Sequence, residues 1–251
     1  MGVQATSTNL TTQRAACPPN IFASGAVSCQ PHPMSFDTLL ILTYGRSGST
    51  LLQGILNSAE GVCIRGENDL ALLGLYRSYQ AIVASKDRFS ANSENPTHPW
   101  YGAHLLEPHT YARALGESFR QHVLRPPPST TMIGFKEIRY GFLTENDFIG
   151  LVEFCRSAFS RPAFIVNTRE MEAVIASNEK AGHQVTPDQL RHSDAILRNF
   201  AATGRDDVHH VHYDDYIKDA ARLEAMINFL KLDLKVVQVE EVMKQQHSTF
   251  G

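Results

Sequence analysis

The sequence predicts an α/β fold: a phosphate-cradling strand, loop and helix near its head, then further buried strands alternating with helices. Two stretches carry that reading. In Leu39-Leu40-Ile41-Leu42-Thr43-Tyr44-Gly45-Arg46-Ser47-Gly48-Ser49-Thr50-Leu51-Leu52 a short apolar run, patterned as a strand buried on both faces, breaks at Gly45. It resumes at helical spacing through Leu51, Leu52, Ile55 and Leu56. In Ala163-Phe164-Ile165-Val166-Asn167-Thr168 a second buried strand ends in Arg169, and Ser177 follows two helical turns on.

Strand, glycine loop and helix in that order build an anion site. The first amides of the helix lack internal partners, and its dipole favours negative charge there. Gly45 lets the backbone turn tightly. Arg46 adds a fixed charge, and Ser47, Ser49 and Thr50 add hydroxyl donors. Gly45, Arg46, Ser47, Gly48, Ser49 and Thr50 are therefore the candidate phosphate-binding residues. The usual nucleoside-triphosphate loop, GxxxxGK[ST], needs two widely spaced glycines and a lysine. Here the spacing is shorter, arginine is the cation, and no aspartate-ended strand stands ready to hold magnesium.

The first helix should end near Asn57, and Val62-Cys63-Ile64 reads as the second strand. It leads into Arg65-Gly66-Glu67-Asn68-Asp69 and a helix from about 70 to 85. A carboxylate just past a strand's C-terminal end stands where open α/β sheets bind ligands, which singles out Glu67, with Asp69 as its local competitor. The plainer reading of Glu67 is a charge that meets the dipole of the helix it precedes. Residues 86–108 read as a long, lid-like loop. It carries the single tryptophan, Trp100, beside Tyr101, with His98 and His104 close in sequence. Trp100 is read either as a wall of an acceptor pocket or as a pin holding the loop to the core. Either imidazole suits proton abstraction near neutral pH.

A helix over 109–123 is stopped by Pro126-Pro127-Pro128, and residues 130–135 form a third strand ending in Lys136-Glu137-Ile138-Arg139-Tyr140. An amphipathic helix over 147–159 precedes the Ala163 strand. A further helix spans 187–202, and the last strand is Val208-His209-His210-Val211-His212-Tyr213. His210 and His212 share a face of that strand. Three histidines invite a metal site, but no cysteine completes one nearby, and hydrogen bonds can satisfy them, so no metal is expected. Residues 244–248 either close over the ligand or fray.

The chain has 251 residues, enough for one domain with a sizeable core. We expect an irregular segment over 1–35 and a single domain over 36–251. A net charge of −3 gives no strong pull toward nucleic acid or an anionic membrane and weighs against a long polyanionic acceptor. The four cysteines form no CxxC pair. Cys17 and Cys29 could pair in an oxidising compartment, but free thiols in a reducing cytosol are the simpler reading. No secretion signal or bilayer-spanning run is present, so a cytoplasmic protein is expected.

The Tyr44–Leu52 loop closely resembles the 5′-phosphosulfate loop of PAPS-dependent sulfotransferases, in the arginine-bearing version of carbohydrate and bacterial enzymes. Arg169 and Ser177 resemble that family's 3′-phosphate pair in residue type and spacing. Glu170 stands where many relatives have aspartate, and their usual following proline is absent. Lys136 and Arg139 resemble a K-x-x-R element, and residues 211–216 resemble the family's last strand end. The resemblance implies a three-layer P-loop-type fold with a central parallel sheet flanked by helices. It implies sulfuryl transfer from 3′-phosphoadenylyl sulfate (PAPS) without a metal, leaving adenosine 3′,5′-bisphosphate (PAP). The acceptor would be a hydroxyl or amine of a small metabolite or glycoside. Arg46 would neutralise charge on the leaving phosphate, Lys136 would supply positive charge, and Glu67, or His98 or His104, would take the acceptor's proton. Two other classes remain: a P-loop kinase using ATP, and a nucleotide-binding module without catalysis.

Overall fold

The computed structural model describes residues 36–244. The irregular 1–35 segment, the Cys17/Cys29 pairing and the tail beyond Lys244 lie outside the described residues. Five strands form one sheet: β1 (Thr38–Leu42), β2 (Val62–Arg65), β3 (Met132–Glu137), β4 (Pro162–Thr168) and β5 (Val208–His212). All pair parallel, in the order β2-β3-β1-β4-β5. The expected α/β fold with a central parallel sheet is the one the chain adopts.

The apolar runs explain the layering. Alternate residues of a strand face opposite sides. Leu40, Leu42, Ile133, Phe135, Phe164 and Val166 join one core with the buried faces of α2 (Ala71–Phe89), α3 (Pro108–Phe119), α4 (Glu145–Ala158), α5 (Met171–Lys180) and α6 (Pro187–Ala201). Leu39, Ile41, Met132, Ala163 and Ile165 join a second core with α1 (Ser49–Asn57) and the C-terminal α8 (Glu224–Leu230) and α9 (Val236–Lys244). Short α7 (Tyr213–Tyr216) links β5 to that layer. Helices on both faces are why β1, β3 and β4 are buried along their whole length.

Segment 86–108 departs from its reading as an irregular loop. Its first four residues continue α2 as far as Phe89. The remainder folds into hydrogen-bonded turns and a 3₁₀ turn, Ala103–Leu105. The Trp100 ring stacks on Phe89 at 3.8 Å and 3°. Ser93 is fully buried and binds both the amide and Nδ1 of His104, at 2.9 and 2.8 Å. The segment thus packs on the helix that precedes it. Among the described residues no helix is long and apolar enough to cross a membrane.

Candidate active site

A cleft of about 1030 Å³ opens at the C-terminal ends of the strands, above the point where the connections from β1 and β3 leave in different directions. Its floor is the turn between β1 and α1. Arg46 and Gly48 both take left-handed backbone, with φ of 65° and 79°. At Gly48 a side chain has no room, because a Cβ would lie 2.0 Å from the Tyr213 ring. The first helical bonds of α1 run from Leu51 and Leu52 to the Gly48 carbonyl, so the amides of Ser49 and Thr50 precede them and face outward from the helix end.

Not every loop residue turns toward the cleft. Gly45, Arg46, Gly48, Ser49 and Thr50 line it. Ser47 is fully buried, and its hydroxyl lies 2.7 Å from Thr43 Oγ1. Its carbonyl accepts from Asn167 Nδ2 at 3.1 Å, and Asn167 Oδ1 accepts from the Tyr216 hydroxyl at 3.0 Å. The expectation of a Ser47 hydroxyl contact to ligand is therefore corrected: that hydroxyl bonds Thr43, and the Ser47 carbonyl ties the loop to β4.

On the β4 side, Arg169 and Ser177 meet the loop directly. Arg46 Nε donates to Ser177 Oγ at 2.9 Å, and Arg169 Nη1 donates to the Arg46 carbonyl at 3.0 Å. The Arg169 guanidinium lies over the Tyr213 ring, 4.7 Å from its centroid. Arg169 Nε is buried and has no hydrogen-bond acceptor; Asp214 Oδ1 stands 4.0 Å away. Such a donor costs stability unless something accepts from it. Asp214 Oδ2 takes the Glu170 amide at 2.7 Å instead. At the end of β5, the Thr168 hydroxyl lies 2.8 Å from His210 Nε2 and 2.9 Å from His212 Nδ1. No cluster of three metal-ligating side chains occurs among the described residues.

The β2/β3 side is built from paired charges. Lys136 Nζ sits 2.8 Å from Glu67 Oε1, and Arg139 Nη1 is 3.5 Å from Glu67 Oε2. Arg139 Nε reaches Asp69 at 3.2 Å. All three residues, Glu67, Lys136 and Arg139, line the cleft. His98 and His104 do not. His98 Nδ1 accepts the Trp100 amide at 3.2 Å, and His104 is tied to Ser93. Trp100 also stays out of the cleft lining, because Phe89 takes its ring.

One residue of this side escaped the sequence reading. Glu137 is 1% exposed at the end of β3. Its Oε2 accepts the amides of Leu70 (2.9 Å) and Asn68 (3.4 Å), and its Oε1 accepts those of Ile138 (2.8 Å) and Arg139 (3.2 Å). Asp69 and Leu70 both have left-handed backbone, at φ 57° and 55°. Such strain persists only where the surroundings impose it, and Glu137 supplies the constraint. The carboxylate thereby shapes the turn that carries Glu67. The available signal is an acid within a strand that starts as the apolar run Met132–Phe135, since a buried carboxylate must find donors.

No protein-family model and no curated protein matches this sequence. Solved structures do. The sulfotransferase domain from the Synechococcus PCC 7002 olefin synthase is 18% identical, over 87% of this chain and 81% of that one, with a TM-score of 0.53. The sulfotransferase domain from the curacin biosynthetic pathway is 15% identical, over 86% and 80%, with a TM-score of 0.48. Sulfotransferase STF9 from Mycobacterium avium is 14% identical, over 83% and 67%, with a TM-score of 0.45. Its likeness to the olefin synthase domain shows that this chain has the fold of a sulfotransferase domain.

Proposed function

We propose that this chain transfers a sulfuryl group from PAPS to a hydroxyl or amine of a small metabolite or short glycoside, in the cytoplasm. One observation carries the reading. Open helix amides, Arg46, Ser177 and an Arg169 nitrogen without an acceptor converge at one end of a single cleft. Two phosphate-sized demands meet there, which suits a nucleotide phosphorylated at both 5′ and 3′ positions.

In this reading the loop amides and Arg46 hold the 5′-phosphate, while Arg169 and Ser177 hold the 3′-phosphate. The acceptor's oxygen or nitrogen attacks sulfur from the β2/β3 side. The bond between sulfur and the bridging oxygen breaks, and PAP leaves with that electron pair. Arg46 stays protonated and meets the charge growing on the leaving phosphate by hydrogen bonding. Glu67 takes the acceptor's proton, with Lys136 and Arg139 keeping its carboxylate at the cleft edge.

The experiment is a thermal-shift comparison of PAP with ATP and magnesium, followed by labelled PAPS against a panel of alcohols, amines and glycosides. A ligand raises the melting temperature according to its affinity for the folded state. PAP stabilising the protein where ATP does not, with label appearing in an acceptor, is the expected result. ATP as the stabilising ligand overturns the PAPS reading in favour of an ATP-binding one. PAP binding without any transfer makes it a binding module.

A further inference from the structure

One hydroxyl beneath the cleft joins its two sides. Tyr44 follows β1, is 1% exposed, and bridges Arg139 through its backbone. Its side chain runs the other way. The phenolic oxygen accepts the Arg169 amide at 2.9 Å, and lies 2.8 Å from Asp194 Oδ1 and 3.1 Å from the Arg169 carbonyl. A phenol has one hydrogen to give. The carboxylate is the closer acceptor and the charged one, so it takes that hydrogen. A phenol that donates to a carboxylate is in turn a stronger acceptor for the Arg169 amide. Burial pushes the Tyr44 phenol well above its ordinary pKa, which keeps the hydrogen in place. Asp194, on α6, is itself held by Arg198 Nε at 2.7 Å.

A chain of contacts from Arg198 through Asp194 and Tyr44 therefore ends on the main chain of Arg169, at the corner where β4 gives way to α5. That corner decides where the Arg169 side chain can reach. The same guanidinium already bonds the Arg46 carbonyl and lies over Tyr213, while its Nε lacks an acceptor. A small shift of the corner moves this last donor relative to the loop.

We propose that Tyr44, oriented by Asp194, is a positioning residue that sets Arg169 for a 3′-phosphate and so sets the preference for nucleotides bearing one. The inference rests on the donor reading given under the proposed function. A hydroxyl that merely satisfied the core would stabilise the fold and treat all adenine nucleotides alike. A hydroxyl that aims Arg169 acts on the 3′-phosphate alone.

The test is calorimetry of PAP against adenosine 5′-monophosphate, the same ligand without its 3′-phosphate, on the full chain. Tyr44→Phe should weaken PAP about tenfold while the monophosphate changes by less than about twofold. Equal losses for both ligands, or an unchanged ratio, overturn the proposal. Should Tyr44→Phe fail to fold, Asp194→Ala and Asp194→Asn take its place. Asparagine keeps an acceptor for the phenol, so it should hold the ratio near that of the parent chain, whereas alanine should lower it several-fold. An alanine variant with the parent's ratio also overturns the proposal. If the parent chain itself binds both nucleotides equally, the assignment of Arg169 and Ser177 to a 3′-phosphate fails, and the role of Tyr44 falls with it.

Discussion

The two sides of the cleft follow opposite electrostatic plans. Above β1 and β4 stand donors without an acceptor: the first amides of α1 and, buried beside them, Arg169 Nε. Above β2 and β3, charges are met within the protein: Glu67 by Lys136 and Arg139, Glu137 by four amides. A set of open donors selects an anion by charge. A set of paired charges presents a weaker field, and so leaves more of the selection to shape and to the handling of a proton. One cleft thus holds a half suited to a highly charged ligand and a half suited to a neutral one.

The largest expected effect breaks the open side. Gly48→Ala places a Cβ against the Tyr213 ring on a left-handed backbone. We expect about 3 kcal/mol of lost stability and PAP affinity lowered by about a hundredfold or more. Urea titration and calorimetry read the two losses. Removing the ring in Gly48→Ala/Tyr213→Ala should restore part of the stability, and a double variant as unstable as the single one would mean the strain is all in the backbone.

A second variant addresses the balanced side. Glu67→Gln should keep PAP affinity and lower turnover by about a hundredfold, the scale of losing a general base. His98→Ala and His104→Ala should turn over at near-parental rates, because neither imidazole lines the cleft. The reverse pattern in steady-state kinetics moves the proton acceptor to the 90–107 segment and removes Glu67 from the role.

Arg169→Ala sharpens the contrast between the sides. It should weaken PAP by about 2 kcal/mol through lost charge-assisted bonds. Lys136→Ala, on the balanced side, should leave PAP affinity within about 0.5 kcal/mol, since its partner is Glu67. Calorimetry showing similar losses for both would erase the division of labour.

The smallest effect lies at the sheet edge and concerns pH. Burial lowers the pKa of His209 from its ordinary 6.5, so the imidazole is held neutral beside Phe229. Between that lowered value and 6.5 the unfolded chain binds more protons than the folded one. Stability is therefore full above 6.5 and declines as pH falls through that window. His209→Gln should make the urea midpoint less dependent on pH between 7.5 and 5.5, with His210, whose pKa burial also lowers, keeping part of the slope; an unchanged slope would assign it to other groups.

Much of the open side is legible in the sequence because each part is local. A strand, a glycine turn and a helix are contiguous, and an arginine just past the end of a strand is followed by a serine in the next helix. What the sequence leaves out is how far apart such parts begin: Arg46 and Ser177 are 131 residues apart and end 2.9 Å from each other. The balanced side is less legible. In Lys136-Glu137-Ile138-Arg139 strand alternation sends the buried Lys136 and Glu137 to opposite faces. The turn at Asn68–Leu70, distant in the chain, supplies the donors for one oxygen of the buried Glu137, while the adjacent Ile138 and Arg139 serve the other. Trp100 is left open by the sequence between a pocket wall and a pin for its loop. Phe89 at the end of α2 offers a parallel ring face, and stacking decides between them.

The position of β1 at the centre of the sheet also fixes the order in which the molecule can be made. Thr38 at its start pairs with Ile133 on one flank and Pro162 on the other. A chain growing from its N-terminus therefore exposes the run Leu39–Leu42 early and finds it no sheet partner until β3 has emerged, and no second one until β4 has. Contacts so distant in sequence form slowly, and an apolar strand with open edges is prone to aggregate meanwhile. During synthesis the strand that leads into the Gly45–Thr50 loop keeps both edges open until β3 emerges, and nascent chains that stop short of β3 have no sheet with which to bury it.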